Sequence, residues 1–329
     1  MKKKNIAVIG CGDWGKNIAR TLNEIDHLAA ISDHHHSRYA ADFSNQYNIP
    51  LLDFKEVLKD DTIEGIVIAT PAETHYKIAF EALKNGKHVL VEKPLVKTLE
   101  EAESLKNFAI EQKKTLMVGH LLMYHPAFQE LSRICHSGGI GGIKHIASSR
   151  KNFGKIYHKD SALWDLGPHD LSMVLKIAQS PIKEVFAVSR NLVFKNLNDI
   201  VTLHLTFKND ITAEINLSRL NPFKEQKISA IGEFGAVVFD DTKEWANKVI
   251  THKGTVEELD QEHVKTVPDF KGEASILKSE QPLKLELEHF VHCVATDSNP
   301  ETPADEAIQI MEILMAADES IAKKKPITL

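Results

Sequence analysis

A chain of 329 residues is long for a single hydrophobic core, which predicts two domains. Hydrophobic residues make up 43% and charged residues 26%, a globular balance that argues against extensive disorder. A net charge of −6 without a basic block argues against a nucleic-acid surface. No apolar run approaches the ~20 residues of a membrane span, so we expect no membrane insertion. The three cysteines are far apart, and the start of the chain is unlike a signal peptide. Together they predict a cytoplasmic protein without disulfides or cysteine-bound metal.

The first 119 residues alternate between short apolar runs and helical periodicity. This alternation predicts an α/β domain with a doubly wound parallel sheet that helices cover on both faces. The strands are predicted at Ile6–Ile9, Leu28–Ile31, Gly65–Ala69, Val89–Val91 and Leu116–Val118. The helices are predicted around Ile18–Ile25, Phe54–Leu58 and Tyr76–Leu83, and after a capping box of Thr98 and Glu101.

After residue 120 the pattern changes to the alternation of a half-buried antiparallel sheet. The clearest element is a hairpin over 201–217 that turns at Asn209 and Asp210. Further strands are predicted at Lys144–Ser149, Lys183–Ser189, Lys227–Ile231 and Ala236–Phe239, a surface loop at Leu259–Glu280, and two helices at the end. Thr302 is predicted to cap the last helix. We expect the α/β domain over 1–119 and an α+β domain over 120–329, with the helix 303–323 packing back on the first.

A glycine-rich turn follows the first predicted strand and opens the first predicted helix. Its sequence, G-x-G-x-x-G, consists of Gly10, Gly12 and Gly15 with Asp13 and Trp14 between the last two. In this context the glycines permit a tight turn, close approach to a pyrophosphate and close packing of helix on strand. The free N–H groups of the helix would then bind that pyrophosphate. The alternative is a glycine-rich turn without a ligand.

Asp33 ends the second predicted strand, 18 residues after Gly15. At this place a carboxylate accepts hydrogen bonds from the adenosine ribose and repels a 2′-phosphate, which predicts NAD rather than NADP. The alternative is a solvated loop aspartate. Three histidines, His34 to His36, follow directly, but consecutive residues do not easily direct their rings at one ion. We therefore predict no metal site.

Two further clusters carry candidate catalytic groups. Glu92-Lys93-Pro94 follows the fourth predicted strand, at the edge where open parallel sheets bind ligands. A lysine there can stabilise the alkoxide that precedes hydride loss, although it could also be a surface lysine. Asp165 and His169 are four residues apart, so a helix would place them on one face. The histidine could accept a hydroxyl proton that the aspartate helps to stabilise. The alternative is a helix cap at Asp165 with a packed histidine.

These motifs together resemble the glucose-fructose oxidoreductase / inositol dehydrogenase (Gfo/Idh/MocA) family. The resemblance rests on the glycine-rich start, Ala69-Thr70-Pro71 with His75, Glu92-Lys93-Pro94 and Asp165-x-x-x-His169, in that order over the whole chain. It implies a Rossmann domain, an open-faced antiparallel sheet domain and hydride transfer between NAD and a sugar or polyol. The resemblance implies that Lys93 and His169 are the acid–base pair of the family and that Asp165 is the partner of His169. The implied cofactor contacts are the glycine-rich turn, Asp33, His34, Thr70, Pro71, His75, Glu92, Lys93, His120 and Trp164.

Other segments resemble the nucleotide-sugar branch of that family. They are Gly119–Ala127, Trp164–Asp170, Asn221–Gln226 and Pro282–Phe290. The resemblance implies action at C3 of a UDP-N-acetylglucosamine-type sugar or its uronic acid, for surface glycans such as lipopolysaccharide, by a homodimer or homotetramer. Substrate contacts would come from Lys93, Tyr124, Asn152, Lys155, Tyr157, Asp165 and His169, of which Asn152, Lys155 and Tyr157 could equally be solvated loop residues. The alternatives are a free polyol or inositol dehydrogenase and a non-catalytic NAD(H)-binding scaffold.

Overall fold

The fold is known from a computed structural model of the full chain. It describes residues 4–33, 38–154, 161–193, 195, 197–258, 264–268 and 271–329. The chain forms two compact units. The first contains the described residues up to Tyr124 together with Glu280–Met311, and the second contains His125–Ser279 and Glu312–Leu329. The segment Glu280–Met311, which the sequence placed in the second domain, thus belongs to the first compact unit, and the sequence boundary after residue 119 stays a proposal.

The first unit is built on a parallel sheet with strand order β2-β1-β3-β4-β5. The strands are β1 (Ile6–Ile9), β2 (Leu28–Ser32), β3 (Gly65–Ile68), β4 (His88–Glu92) and β5 (Leu116–Gly119). The helices are α1 (Gly15–Glu24), α2 (Arg38–Tyr47), α3 (Phe54–Lys59), α4 (His75–Lys84), α5 (Leu99–Glu111) and, later in the chain, α8 (Pro282–Thr296). The predicted strands are confirmed to within one residue at each end. Strands buried on both faces are continuous apolar runs, which is why they were visible in the sequence.

The second unit is built on a larger sheet that is antiparallel except for the pair β6–β9. Its order is β13-β12-β11-β10-β6-β9-β8-β7-β15, and β14 pairs with β12. The strands are β6 (Ile143–Phe153), β7 (Ile182–Arg190), β8 (Ile200–Phe207), β9 (Thr212–Ser218), β10 (Leu220–Gly232), β11 (Gly235–Asp240), β12 (Val249–Glu258), β13 (Val264–Pro268), β14 (Glu273–Ala274) and β15 (Ile327–Thr328). Helices α6 (Pro126–His136) and α7 (Ala162–Ala178) pack on this sheet.

The hairpin predicted over 201–217 is strands β8 and β9. Val201, Leu203 and Leu205 of β8 are buried and alternate with residues that remain accessible, and β9 alternates in the same way. The loop predicted at Leu259–Glu280 is wrong in part, because β13 and β14 lie within it. This polar segment lacks the periodicity of a strand. Its strands form because neighbouring strands provide partners for their backbone hydrogen bonds.

Helix α9 (Ala304–Lys323) begins in the first unit and ends in the second. Its first half contributes Ala307, Ile308 and Met311 to the core of the first unit. The predicted cap at Thr302 is wrong. The Thr302 hydroxyl donates instead to the Val118 carbonyl of β5 at 2.7 Å, and the Val118 N–H donates to the Thr302 carbonyl at 2.9 Å. The segment before α9 thus extends the edge of the parallel sheet.

Candidate functional site

The glycine-rich turn requires glycine at its first and last positions. Gly10 has φ +90°, and a Cβ there would lie 2.8 Å from Thr70 Cγ2 and 2.9 Å from the Ala69 carbonyl. A Cβ on Gly15 would lie 2.0 Å from the Gly10 carbonyl oxygen. The turn and the packing of α1 on the sheet therefore exclude any side chain at these two positions.

Gly12 has a different environment. A Cβ built on it meets no protein atom within 4 Å, so its backbone faces open space. Helix α1 begins beside it without a side-chain cap and without an acidic residue in its first turn. Asp13 is exposed, and its carboxylate lies 3.7 Å from Lys16 Nζ. Open space above glycine and an uncapped helix start are the features that receive a dinucleotide pyrophosphate, so the residues present fit NAD.

Asp33 follows β2, and its carboxylate is oriented by the glycine-rich turn. The Cys11 N–H donates a hydrogen bond to Asp33 Oδ2 at 2.8 Å. Burial, with the nearby charge of Asp33, raises the pKa of the Cys11 thiol to about 11, so this thiol stays protonated. Asp33 is partly exposed at the end of β2, where a ribose would be recognised. His34 lies outside the described residues.

Trp14 and Glu92 connect the glycine-rich turn to the Glu92-Lys93-Pro94 segment. The Trp14 indole Nε1–H donates to Glu92 Oε1 at 2.5 Å. Burial raises the pKa of Glu92, which the hydrogen bond from Trp14 opposes. A Cβ on Gly119 would lie 3.0 Å from Glu92 Oε2, so β5 also needs a small residue beside this carboxyl. Lys93, half-buried, follows, and its peptide bond to Pro94 is cis.

His75 joins two loops rather than presenting a polar atom to a ligand. It is 1% exposed, with Nδ1 2.9 Å from the Pro94 carbonyl and Nε2 2.9 Å from the Thr70 carbonyl. Burial lowers the pKa of His75. Because it holds Thr70-Pro71 and Lys93-Pro94 at hydrogen-bond distance from one ring, it fixes the ends of β3 and β4 relative to each other.

A buried polar cluster lies around Lys93 in the first unit. Neither ring nitrogen of His120 has a hydrogen-bond partner among the described residues, and His120 is 2% exposed. Burial and the charge of Lys93 lower the pKa of His120 to about 4, so it is neutral at physiological pH. Glu286 of α8 is 1% exposed, and burial together with Glu92 raises its pKa well above the usual value. We did not predict Glu286 from the sequence, where it lies beside the apolar positions Leu287 and Phe290 of a helical face.

Tyr124 is buried and belongs to the packing of the first unit. It is 4% exposed, and its hydroxyl lies 3.2 Å from Thr302 Oγ1. Burial raises the pKa of this phenol. The structure thus gives Tyr124 a hydrogen bond within the protein, and a substrate contact from it stays a prediction.

In the second unit, helix α7 presents the Asp165-x-x-x-His169 motif. Its cap is Ser161, whose hydroxyl accepts the Trp164 N–H at 3.3 Å, so Asp165 is not the cap. The Trp164 Nε1–H donates to Asp318 Oδ2 at 2.7 Å. Asp165 Oδ2 lies 3.1 Å from Nη2 of Arg219, a residue that the sequence motifs did not single out. Arg219 lies directly after β9, where the sequence has no periodic pattern that would have marked it as a functional residue.

His169 lies one turn after Asp165 on α7, and the next residue anchors the helix. Asp170 accepts hydrogen bonds from Ser148 Oγ and from Arg150 Nε, both at 2.5 Å. All three of these residues are buried. This ion pair therefore fixes α7 against β6. Asn152 of β6 is half-buried, and Lys155 and Tyr157 lie outside the described residues.

Comparison with known proteins identifies the family. Residues 4–120 match the model of the Gfo/Idh/MocA oxidoreductase family with an NAD-binding Rossmann fold, and residues 128–238 match the C-terminal domain of the same family. The chain belongs to the Gfo/Idh/MocA family. It is therefore an NAD-binding oxidoreductase, and the fold and the cofactor predicted from the sequence are confirmed.

Relatives within the Gfo/Idh/MocA family act on different substrates. The chain is 28% identical to UDP-N-acetylglucosamine 3-dehydrogenase of Acidithiobacillus ferrooxidans over 88% of each chain. It is 24% identical to scyllo-inositol 2-dehydrogenase (NAD(+)) of Bacillus subtilis, over 83% of this chain and 80% of that one. The solved structure of the A. ferrooxidans enzyme GnnA has the same fold, with a TM-score of 0.84, 23% identity and coverage of 98% and 99%. Membership of this family establishes a dehydrogenase and leaves its sugar or polyol open.

Within the described ranges, no group of three His, Cys, Asp or Glu residues could hold a metal ion. In the same part of the chain, no helix is long and apolar enough to span a membrane.

Proposed function

We propose that this protein transfers a hydride between NAD and C3 of a UDP-N-acetylglucosamine-type nucleotide sugar or its uronic acid. The observation that carries the proposal is the similarity to UDP-N-acetylglucosamine 3-dehydrogenase, 28% identical over 88% of this chain. The segments that resemble the nucleotide-sugar branch lie in both compact units, so the proposal does not depend on the cofactor domain alone. A free inositol or related polyol is the second candidate, supported by the match to scyllo-inositol 2-dehydrogenase.

The acid–base roles are assigned from the family motifs. The Lys93 ammonium would donate a hydrogen bond to the reacting oxygen and stabilise its developing negative charge. The His169 imidazole would accept the hydroxyl proton during oxidation and return it during reduction. Asp165 would stabilise the protonated imidazole. The bound nicotinamide supplies the hydride acceptor or donor, while the protein orients the carbon and manages the proton.

A substrate screen followed at the NADH absorbance tests the proposal. Purified protein with NAD should reduce the cofactor when UDP-N-acetylglucosamine or its uronic acid is added, and more efficiently than with any inositol. A higher kcat/KM for an inositol would contradict the nucleotide-sugar assignment and favour the polyol candidate. If NAD(H) is recycled in place, the absorbance changes once per protein, so mass spectrometry of the sugar is measured in parallel.

Two variants test the acid–base assignment. Lys93→Ala should lower turnover by roughly 10²-fold, as loss of a preorganised donor does. His169→Ala should lower it by about 10²–10⁴-fold, as loss of a general base does. NADH binding should survive in both variants, because neither change touches the glycine-rich turn or Asp33. Native turnover by both variants would contradict the assignment.

A further inference from the structure

Arg219 connects Asp165 to the start of helix α7. It lies between β9 and β10, and its side chain is 3% exposed. Its Nη2 donates to the Ser161 carbonyl at 3.0 Å and lies 3.1 Å from Asp165 Oδ2. One buried nitrogen thus bridges the capping residue of the helix and the carboxylate one turn before His169.

The backbone that carries Arg219 is itself fixed. The Arg219 N–H donates to the Asp199 carbonyl at 3.2 Å, and the Arg219 carbonyl accepts the Gly154 N–H at 3.3 Å. The Asp199 carboxylate in turn accepts the N–H groups of Leu192 and Val193 at 2.7 and 2.8 Å. The guanidinium therefore projects from a segment that is hydrogen-bonded on both sides, which makes it a rigid partner for Asp165.

Helix stability alone does not explain a cation at this place. The N-terminus of a helix carries a partial positive charge, so a guanidinium beside Ser161 is electrostatically unfavourable there. The Ser161 carbonyl already accepts the Asp165 N–H at 3.0 Å, so it does not need a second donor. The Asp165 carboxylate is the group in these contacts whose charge offsets a buried guanidinium.

Arg150 is another buried arginine that pairs with an aspartate of α7, and its pair is more enclosed than that of Arg219. Arg150 and Ser148 hold both oxygens of Asp170, which is 1% exposed, in a closed structural pair. The Asp165 side chain is 29% exposed, and Arg219 holds it through Oδ2. A carboxylate that remains partly accessible can act on a further group, whereas a fully buried pair such as Asp170 and Arg150 only joins elements.

We propose that Arg219 is a positioning residue that holds the Asp165 carboxylate in one orientation on the His169 face of α7. The inference rests on the proposed roles of Asp165 and His169. Without Arg219, the carboxylate can rotate toward solvent or toward the N-terminal N–H groups of its own helix. A misplacement of about 1 Å in such a constellation can lower a rate by 10²-fold.

A double-mutant cycle on kcat tests this inference. Arg219→Met should lower kcat by about 10–10²-fold, with KM for the sugar changed less than about threefold. In an Asp165→Asn background, the same change should lower kcat less than about twofold, because the group it positions is already lost. Arg219→Lys keeps the charge and should restore part of kcat. The matched control is Arg150→Lys in the Asp170 pair, which should lower kcat less than Arg219→Lys.

Two results would overturn the inference. One is a loss of kcat on Arg219→Met that is as large in the Asp165→Asn background as in the native protein, since Arg219 would then act independently of Asp165. The other is a loss on Arg150→Lys that matches the loss on Arg219→Lys. If Arg219→Met does not fold, the cycle is measured with Arg219→Lys.

Thermal unfolding separates this inference from the proposed function. Absence of turnover by the native protein with every nucleotide sugar and polyol would contradict the proposed function. In that case, the coupling between Arg219 and Asp165 is measured from unfolding temperatures. The four proteins compared are the native protein, Arg219→Met, Asp165→Asn and the double variant. Paired residues give a combined shift smaller than the sum of the single shifts. Additive shifts would show that Arg219 does not hold Asp165, and the inference would fail.

Discussion

Replacement of Gly12 by alanine should separate cofactor binding from folding. A Cβ at Gly12 meets no protein atom within 4 Å, and its φ is not positive, so the fold accommodates the methyl group. We expect the free energy of unfolding to stay the same or rise by about 0.4–1 kcal/mol, because alanine restricts the unfolded chain. The methyl carbon would project about 1.5 Å from Cα into the space that a pyrophosphate fills. Loss of one hydrogen bond to a charged group costs about 1.5–3 kcal/mol, or roughly 10–10²-fold in affinity for NADH.

The assay is a titration of NADH fluorescence beside thermal unfolding of the protein without cofactor. Gly15→Ala is the matched control, because its Cβ would lie 2.0 Å from the Gly10 carbonyl oxygen. That variant should lose about 3 kcal/mol of stability, the upper range for overpacking. Gly12→Ala should instead unfold like the native protein and bind NADH weakly. Native NADH affinity in Gly12→Ala, or unfolding as early as that of Gly15→Ala, would refute the reasoning.

Three further predictions concern other parts of the molecule. NADH should bind at least about tenfold more tightly than NADPH, and Asp33→Ala should narrow this gap; equal native affinities would contradict the role of Asp33. Burial would raise the pKa of Asp241, but hydrogen bonds from His125 and Lys248 outweigh it and lower the pKa from 3.8 to about 2. Above pH 4, Asp241→Asn should therefore lower the free energy of unfolding by about 2 kcal/mol relative to the native protein. This difference should vanish as the pH falls through 2. Chemical denaturation at several pH values measures it, and a difference that does not depend on pH would contradict the prediction. The β8–β9 hairpin has a polar face on which Thr202 Oγ1 donates to Asn216 Oδ1 at 2.9 Å, and this face predicts a homo-oligomer. Light scattering that shows a monomer at micromolar concentration would contradict this prediction.

The sequence alone determined the elements whose signal is local. Strands such as β1 and β3 are continuous apolar runs, because a parallel sheet buries both faces, and the 201–217 hairpin shows strict alternation, because its sheet buries one. The glycine-rich turn was visible because its glycines serve backbone geometry within a few residues. The family motifs pointed in the same way to Lys93, Asp165 and His169.

Tertiary structure decided the partners of those groups, because a side chain's contacts depend on which distant segments pack beside it. Arg219 approaches Asp165 from a position 54 residues away in the chain, and no periodicity marks it. Thr302 looks like a helix cap locally, yet its hydroxyl binds β5, since the sheet edge offers a carbonyl at the right distance. Glu286 looks like a solvated charge on an amphipathic helix, yet it is buried, because α8 packs on α1 and on the segment Leu121–Tyr124. Local sequence fixes backbone conformation, whereas burial and pairing of charges arise only when the elements are assembled.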